Sequence, residues 1–422
     1  MTPEREGGSV PERRLRLALV VSHPIQYFAP LYREVAAAGG SELRVFFCSD
    51  WGVRAYHDPL YGREVAWDVP LLEGYEHEFL PIRRRPRRTA FFEVDNPAVD
   101  ERLAAFAPDI VLVHGYGVRT MWRAVRWARR HERLACLSSD SQAGVPVAAW
   151  KRPLKALFVG RFYAWLDGAL AAGDNNRAYH LAWGLPAERV FPFALPVDGQ
   201  RLLASVGDLA GVRKEVRGEL GIPEGAVVAL FCGNLTPWKR PGDFVAAVER
   251  AAAAGAPVWG LMVGDGPERA RLETAIGGAG GRVRLAGFVN QSAIGRFYAA
   301  SDLLAVPSER DAHPLVVTEA LFFGLPVVIS DAVGCIGAGD TAQPGRNALV
   351  FPCGEVSALA AHLTRLAAEG ELRARLGQAS REISRVHDAP HAARLLAEAT
   401  RELVRLGPRN RGGRPSSRGG RR

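Results

Sequence analysis

The chain has 422 residues, 48% hydrophobic and 23% charged, with a formal net charge of +9 at pH 7. The length exceeds one ordinary core, and the composition excludes a disordered or disulfide-stapled chain, so two globular domains are expected. No apolar run reaches the roughly 18 residues of a membrane-spanning helix, and the opening MTPEREGGSVPERR has no apolar stretch of the kind a secretory signal needs.

Residues 1–14 read as a flexible N-terminus. Strands are predicted at Leu15–Val21, Leu43–Cys48, Ile110–His114 and Leu134–Leu137, with short ones at Gly168–Ala172 and Val190–Pro192. After a polar stretch around Asp198–Pro223 the pattern restarts, with strands at Val227–Cys232, Val258–Val263, Val283–Ala286, Leu303–Val306 and Val327–Ser330. Helical segments lie between, among them Asp243–Ala254, Gln291–Ala300 and Val356–Ala368. Alternating short apolar runs and longer helices make an α/β chain with parallel sheets. The domains are set at 15–200 and 201–385, followed by a helix at 386–406 expected to pack back on the first domain. The Arg/Gly-rich tail, 407–422, is expected to be disordered. It holds six of the nine surplus positive charges, leaving +3 on the rest. It reads as a solvated terminus or a contact for polyanions, and no nucleic-acid motif accompanies it. The five cysteines are scattered without a C-x-x-C pair, so they read as reduced, buried residues and not as a zinc site.

Ligands of open α/β sheets bind beyond the carboxyl ends of the strands. Four loops of the second domain lie there. In Leu303–Ser330, Pro314 suits a first helical turn and Gly324 a C-terminal cap. That leaves the amides of Leu315 and Val316 free to donate to a diphosphate at the positive end of a helix. Glu319, one turn on, can accept the two hydroxyls of a ribose, and Asp311 can hold hydroxyls of a transferred sugar. After the strand ending at Cys232, Gly233 and Asn234 lead to Lys239, whose point charge suits phosphate oxygens, with Arg240 as the fallback. Gly264, in Val-Gly-Asp-Gly-Pro, lets backbone approach a ligand closely. Phe288 and Val289 can wall a base.

In this order the loops resemble the retaining GT-B glycosyltransferases of family 4, the group 1 glycosyltransferases. There an acid stands eight positions before a glutamate followed by alanine, as Asp311, Glu319 and Ala320 do here. The opening Ser22-His23-Pro24-Ile25-Gln26-Tyr27 is similar to a branch of that family beginning with an HPIQY segment. Asp311 departs from the usual glutamate and Asn234 from a common arginine. Ser22–Tyr27 replaces a glycine pair. A histidine usual after a later strand is absent; Ser138–Ser141 stands there, with Asp140 as the candidate replacement.

The resemblance implies two Rossmann-like domains facing a cleft, 15–200 for the acceptor and 201–385 for the donor. It implies hexosyl or related transfer from a nucleotide diphosphate-sugar to an acceptor hydroxyl with retention. No cofactor or metal is expected, since no D-x-D motif appears and Lys239 with the helix-end amides would take a metal's place. The catalytic candidates are Lys239, Asp311, Glu319 and His23. The donor candidates are Gly233, Asn234, Arg240, Gly264, Phe288, Val289, His313, Leu315, Val316 and Glu319, and the acceptor candidates are Gln26, Tyr27, His114 and Asp140. The expected setting is cytoplasmic, in envelope polysaccharide, glycolipid or other glycoconjugate synthesis, on a glycan or lipid-linked acceptor. Arg83–Arg88 with Phe91 and Phe92, and Lys151–Trp165, could touch anionic lipid at the inner face of the plasma membrane; Lys151–Trp165 could equally be a plain sheet-covering helix. A non-catalytic GT-B scaffold and a sugar-nucleotide epimerase-like enzyme remain alternatives.

Overall fold

The computed structural model describes residues 14–58, 62–82, 89–143, 148–278 and 281–409. Most of the N-terminal segment, the arginine run Arg83–Arg88 and the tail after Arg409 lie outside the described residues.

Each half forms a parallel sheet between helices. The first sheet has seven strands, ordered His77–Phe79, Ser41–Phe47, Leu15–Val21, Ile110–His114, Leu134–Ser138, Gly168–Ala171 and Val190–Pro192. The second has six, ordered Val283–Gly287, Val258–Val263, Val227–Cys232, Leu303–Val306, Val327–Ser330 and Ala348–Phe351. Central strands are buried on both faces, as parallel strands covered by helices must be, which explains their unbroken apolar runs. In both sheets the connections run one way from the first strand and then the other. The order therefore reverses between Leu15–Val21 and Ile110–His114, and again between Val227–Cys232 and Leu303–Val306. A crevice opens where strand order reverses, and the loops after those strands carry most of the candidate residues.

The last helix, Ala389–Leu406, packs on the first domain: Ala392, Leu396 and Leu403 join a core with Leu17, Leu19 and Tyr32. Arg189 donates to the carbonyls of Leu406 (3.1 Å) and Gly407 (2.9 Å), satisfying acceptors that a helix end leaves open.

Two sequence expectations need correction, and one element was not foreseen. Pro314 is the cap residue before helix Leu315–Phe322 and not part of its first turn. The helix expected over Gln291–Ala300 begins at Ile294, because the Asn290 carbonyl accepts from Ala293 and Ile294 and turns the chain first. The segment 48–76 is an excursion with an antiparallel hairpin, Tyr56–Asp58 and Arg63–Val65, which the sequence reading did not contain.

Candidate functional site

On the second-domain side, the Gly233 amide donates to the Val263 carbonyl (2.9 Å) and the Leu235 amide to the Asp265 carbonyl (2.8 Å). At this approach a Cβ on Gly264 would lie 1.9 Å from the Gly233 carbonyl oxygen, and φ there is +146°. Only glycine fits. The loop continues to a tight turn, Pro237–Lys239, and the Lys239 ammonium makes a short ion pair with the Asp311 carboxylate. The Asp311 carbonyl accepts from the Gly334 amide (2.9 Å), which anchors the loop. Helix Leu315–Phe322 follows, and its first backbone bond is Val317 amide to Pro314 carbonyl (3.0 Å). The two amides before it, Leu315 and Val316, sit at the positive end of the helix.

Glu319 is 1% exposed. Its two oxygens accept from the Tyr298 hydroxyl (2.5 Å) and the Tyr27 hydroxyl (3.1 Å), and Gln291 Nε2 donates to Tyr27 (3.3 Å). Burial pushes the Glu319 carboxyl above its usual pKa, while the tyrosine hydroxyls and the charge of Arg201 pull it back. Buried carboxylates need such donors.

Tyr27 comes from the first domain. It caps helix Phe28–Ala38, at the end of the loop holding His23 and Gln26. His23 Nδ1 lies 2.9 Å from the Ser22 hydroxyl, and its ring meets Trp51 edge-on at 6.3 Å. Asp140 follows strand Leu134–Ser138. Burial raises its pKa, a backbone hydrogen bond to its carboxylate pulls it back, and the charge of Asp311 raises it further, so the two acids lie near each other across the domains. His114 ends strand Ile110–His114 with its ring 4.6 Å from Phe28, and burial lowers its pKa to about 4.

A narrow cavity joins Gly233, Gly264, Phe288, Val289, Val316 and Glu319 to Tyr27. Lys239, Asp311 and Asp140 form the neighbouring charged group. Asn234 lies in the Gly233–Lys239 loop. Two candidates are engaged otherwise. The Arg240 guanidinium is taken by Asp243 (2.6 Å) and Glu309 (4.0 Å), on a backbone with φ +53°. His313 is turned inward beside Ala172 and His387, its pKa lowered by burial to about 4 and its Nε2 without a hydrogen-bond partner.

Sequence reasoning missed Trp67, Gln291 and Tyr298. Trp67 lines the same cavity from the 48–76 excursion, which bridges the domains. Asn290 donates to the Ala66 carbonyl (2.6 Å), the Ser292 amide to Asp68 (3.1 Å), and Arg63 lies over the Phe288 ring at 4.9 Å. A tryptophan in a polar loop was the only signal available. Among the described residues no three His, Cys, Asp or Glu side chains form a group able to hold a metal.

A family model, glycosyl transferases group 1, matches residues 212–383. The D-inositol 3-phosphate glycosyltransferase of a Nocardioides species is 34% identical over 199 residues, which is 43% of this chain and only 43% of that protein's length. The GDP-mannose-dependent alpha-mannosyltransferase of Mycobacterium tuberculosis is 32% identical over 303 residues, 68% of this chain and 71% of that one. Among solved structures, HepE of Anabaena in complex with UDP superposes with a TM-score of 0.69 at 18% identity, covering 92% of this chain and 100% of that chain. The two facing parallel-sheet domains are thus the GT-B fold. With a model matching most of the second domain and a relative matched across both domains, the chain belongs to the group 1 glycosyltransferase family.

Proposed function

We propose that the protein is a retaining, metal-independent hexosyltransferase or close relative, in family 4 and its HPIQY branch, moving a sugar from a nucleotide diphosphate-sugar to an acceptor hydroxyl. The observation that carries this reading is the meeting of Lys239, Asp311 and the amino end of helix Leu315–Phe322 beside buried Glu319, at the strand ends facing Tyr27 and Asp140. The name of the Mycobacterium relative, GDP-mannose-dependent, accords with a nucleotide-sugar donor.

In this reading residues 201–385 bind the donor. Lys239 and the Leu315 and Val316 amides neutralise the diphosphate, Glu319 accepts the ribose hydroxyls, Phe288 and Val289 flank the base, and Asp311 orients the sugar. Residues 15–200 bind the acceptor, with His23, Gln26 and Asp140 nearest the reacting centre. The bond from the anomeric carbon to the phosphate oxygen breaks, and the acceptor oxygen bonds the same face of that carbon. The acceptor proton passes to the departing phosphate. The protein positions the partners and stabilises charge on the diphosphate. A glycan or lipid-linked acceptor, used in envelope polysaccharide or glycoconjugate synthesis at the cytoplasmic face of the membrane, completes the proposal. The scaffold and epimerase-like alternatives are not favoured, since charged, hydroxyl-binding and domain-bridging groups stand together.

Incubation with UDP-, GDP- and ADP-sugars in the presence of EDTA, followed by NMR of the released or transferred sugar, tests the reading. Undiminished turnover with the donor's anomeric configuration kept supports it. An inverted product contradicts retention, and loss of turnover in EDTA contradicts metal independence.

A further inference from the structure

Helix Arg152–Tyr163 buries one face and, among the described residues, leaves apolar side chains of the other exposed. Val159, Phe162 and Tyr163 enter the core of the first domain. On the outer side Leu154 is 62% exposed and Leu157 72%, and Trp150, in the turn just before, is 69% exposed. Phe158, Trp122 and these residues line an open groove of about 750 Å³. Phe92, 82% exposed, flanks it through Phe91, whose ring meets Phe158 at 5.1 Å. The sheet-covering alternative therefore accounts for only half of this helix. A helix apolar on both faces is either fully buried or has a partner, and contiguous exposed patches of this kind mark interaction surfaces.

Charge narrows the partner. From Ser141 to Leu166 the chain carries Lys151, Arg152, Lys155 and Arg161 and no acid. A second copy meeting this face across a twofold axis would set four cations against four. An anionic bilayer satisfies both features: its headgroup boundary takes Trp and Leu side chains, and lipid phosphates take the cations.

We propose that this face docks the protein on an anionic lipid bilayer, with Trp150, Leu154 and Leu157 inserted and Lys151, Arg152, Lys155 and Arg161 over the headgroups. The face adjoins the cleft. The Trp122 indole N–H donates to the Tyr116 carbonyl (3.0 Å), and the Tyr116 hydroxyl meets that of Ser141 (3.1 Å), the residue after Asp140. Docking would thus hold the acceptor side of the cleft near the headgroup layer, a consequence that rests on the proposed transfer.

The test is co-sedimentation of the full chain with phosphatidylglycerol-containing vesicles and with phosphatidylcholine vesicles, at physiological salt. The wild type is expected to bind the anionic vesicles, and the combined Trp150→Ser, Leu154→Ser, Leu157→Ser variant to bind at least about tenfold more weakly. Lipids brominated in the acyl chain should quench tryptophan emission in the wild type and less in Trp150→Phe, a single exposed change that guards against misfolding of the triple variant. UDP and GDP binding in solution should be the same in all variants, which separates this proposal from the donor-site reading. Failure of the wild type to bind anionic vesicles, or a triple variant that binds as well, would overturn it. A solution dimer abolished by the triple variant would assign the face to a second copy instead.

Discussion

At the scale of single residues, Glu319 is the pivot. Both its oxygens are occupied, one by Tyr298 of its own domain and one by Tyr27 from across the cleft. In the proposed donor complex a ribose would compete with Tyr27 for the same carboxylate. Tyr27→Phe, which keeps the ring and removes the competing hydroxyl, should tighten nucleotide binding by up to about tenfold in a titration, as expected for one modest hydrogen bond. Weaker binding in that variant would make Tyr27 a donor contact instead. Burial raises the Glu319 pKa, and only the ionised form accepts two hydroxyls. Nucleotide affinity should therefore be full above that raised pKa and fall as pH drops through it, starting at a higher pH than for an exposed glutamate. A pH series of titrations reads this, and affinity unchanged into the acid range contradicts the role. Asp311, Glu319 and Lys239 were legible because their spacing lies within single strand–loop–helix units. Trp67, Gln291 and Tyr298 were not, because distant segments bring them into the cavity and no local spacing records that.

At the scale of elements, the two loops after Val227–Cys232 and Val258–Val263 approach backbone to backbone with no room for a side chain. Gly264→Ala sets a Cβ against the Gly233 carbonyl in a backbone conformation that L side chains rarely adopt. It should cost about 2–4 kcal/mol of unfolding free energy in a denaturant melt, and misplace Lys239 as well. A change below about 0.5 kcal/mol would mean the loops are free to part. The long buried strands were readable because parallel strands covered on both sides are apolar throughout. Of the short strands, Val190–Pro192, Leu303–Val306 and Val327–Ser330 were readable, whereas His77–Phe79, Ala348–Phe351 and the pair Tyr56–Asp58 with Arg63–Val65 were not. Their pairing comes from neighbours distant in sequence, and runs of three or four residues are too short to show the period that would announce them.

At the scale of the whole molecule, stability should depend on pH through buried histidines. His114, His180, His313 and His387 are each held neutral by burial, with pKa lowered from 6.5 to about 4. The unfolded chain binds those protons first. Stability is thus full above pH 6.5 and is lost as pH falls from 6.5 toward 4, by at most about 3 kcal/mol for fully buried His180. Asp340, raised to about 6 by burial and by Asp174 at the domain contact, acts in the opposite sense, as do Asp140, Glu249 and Glu319, but of these only Asp340 is shifted as far as the four histidines. Melting temperature should therefore drop on acidification through this window, and a flat profile would show that the histidines take up protons without unfolding.

The proposed nucleotide-diphosphate site at the second domain's strand ends is built on Glu319 and Lys239. Calorimetric titration of UDP, GDP and ADP into the wild type, Glu319→Ala and Lys239→Ala tests it most directly. One nucleotide should bind the wild type, and each substitution should weaken it by about 2 kcal/mol, a factor of about thirty, as loss of a charged partner predicts. Binding left unchanged by both substitutions, or no binding of any of the three by the wild type, would contradict it.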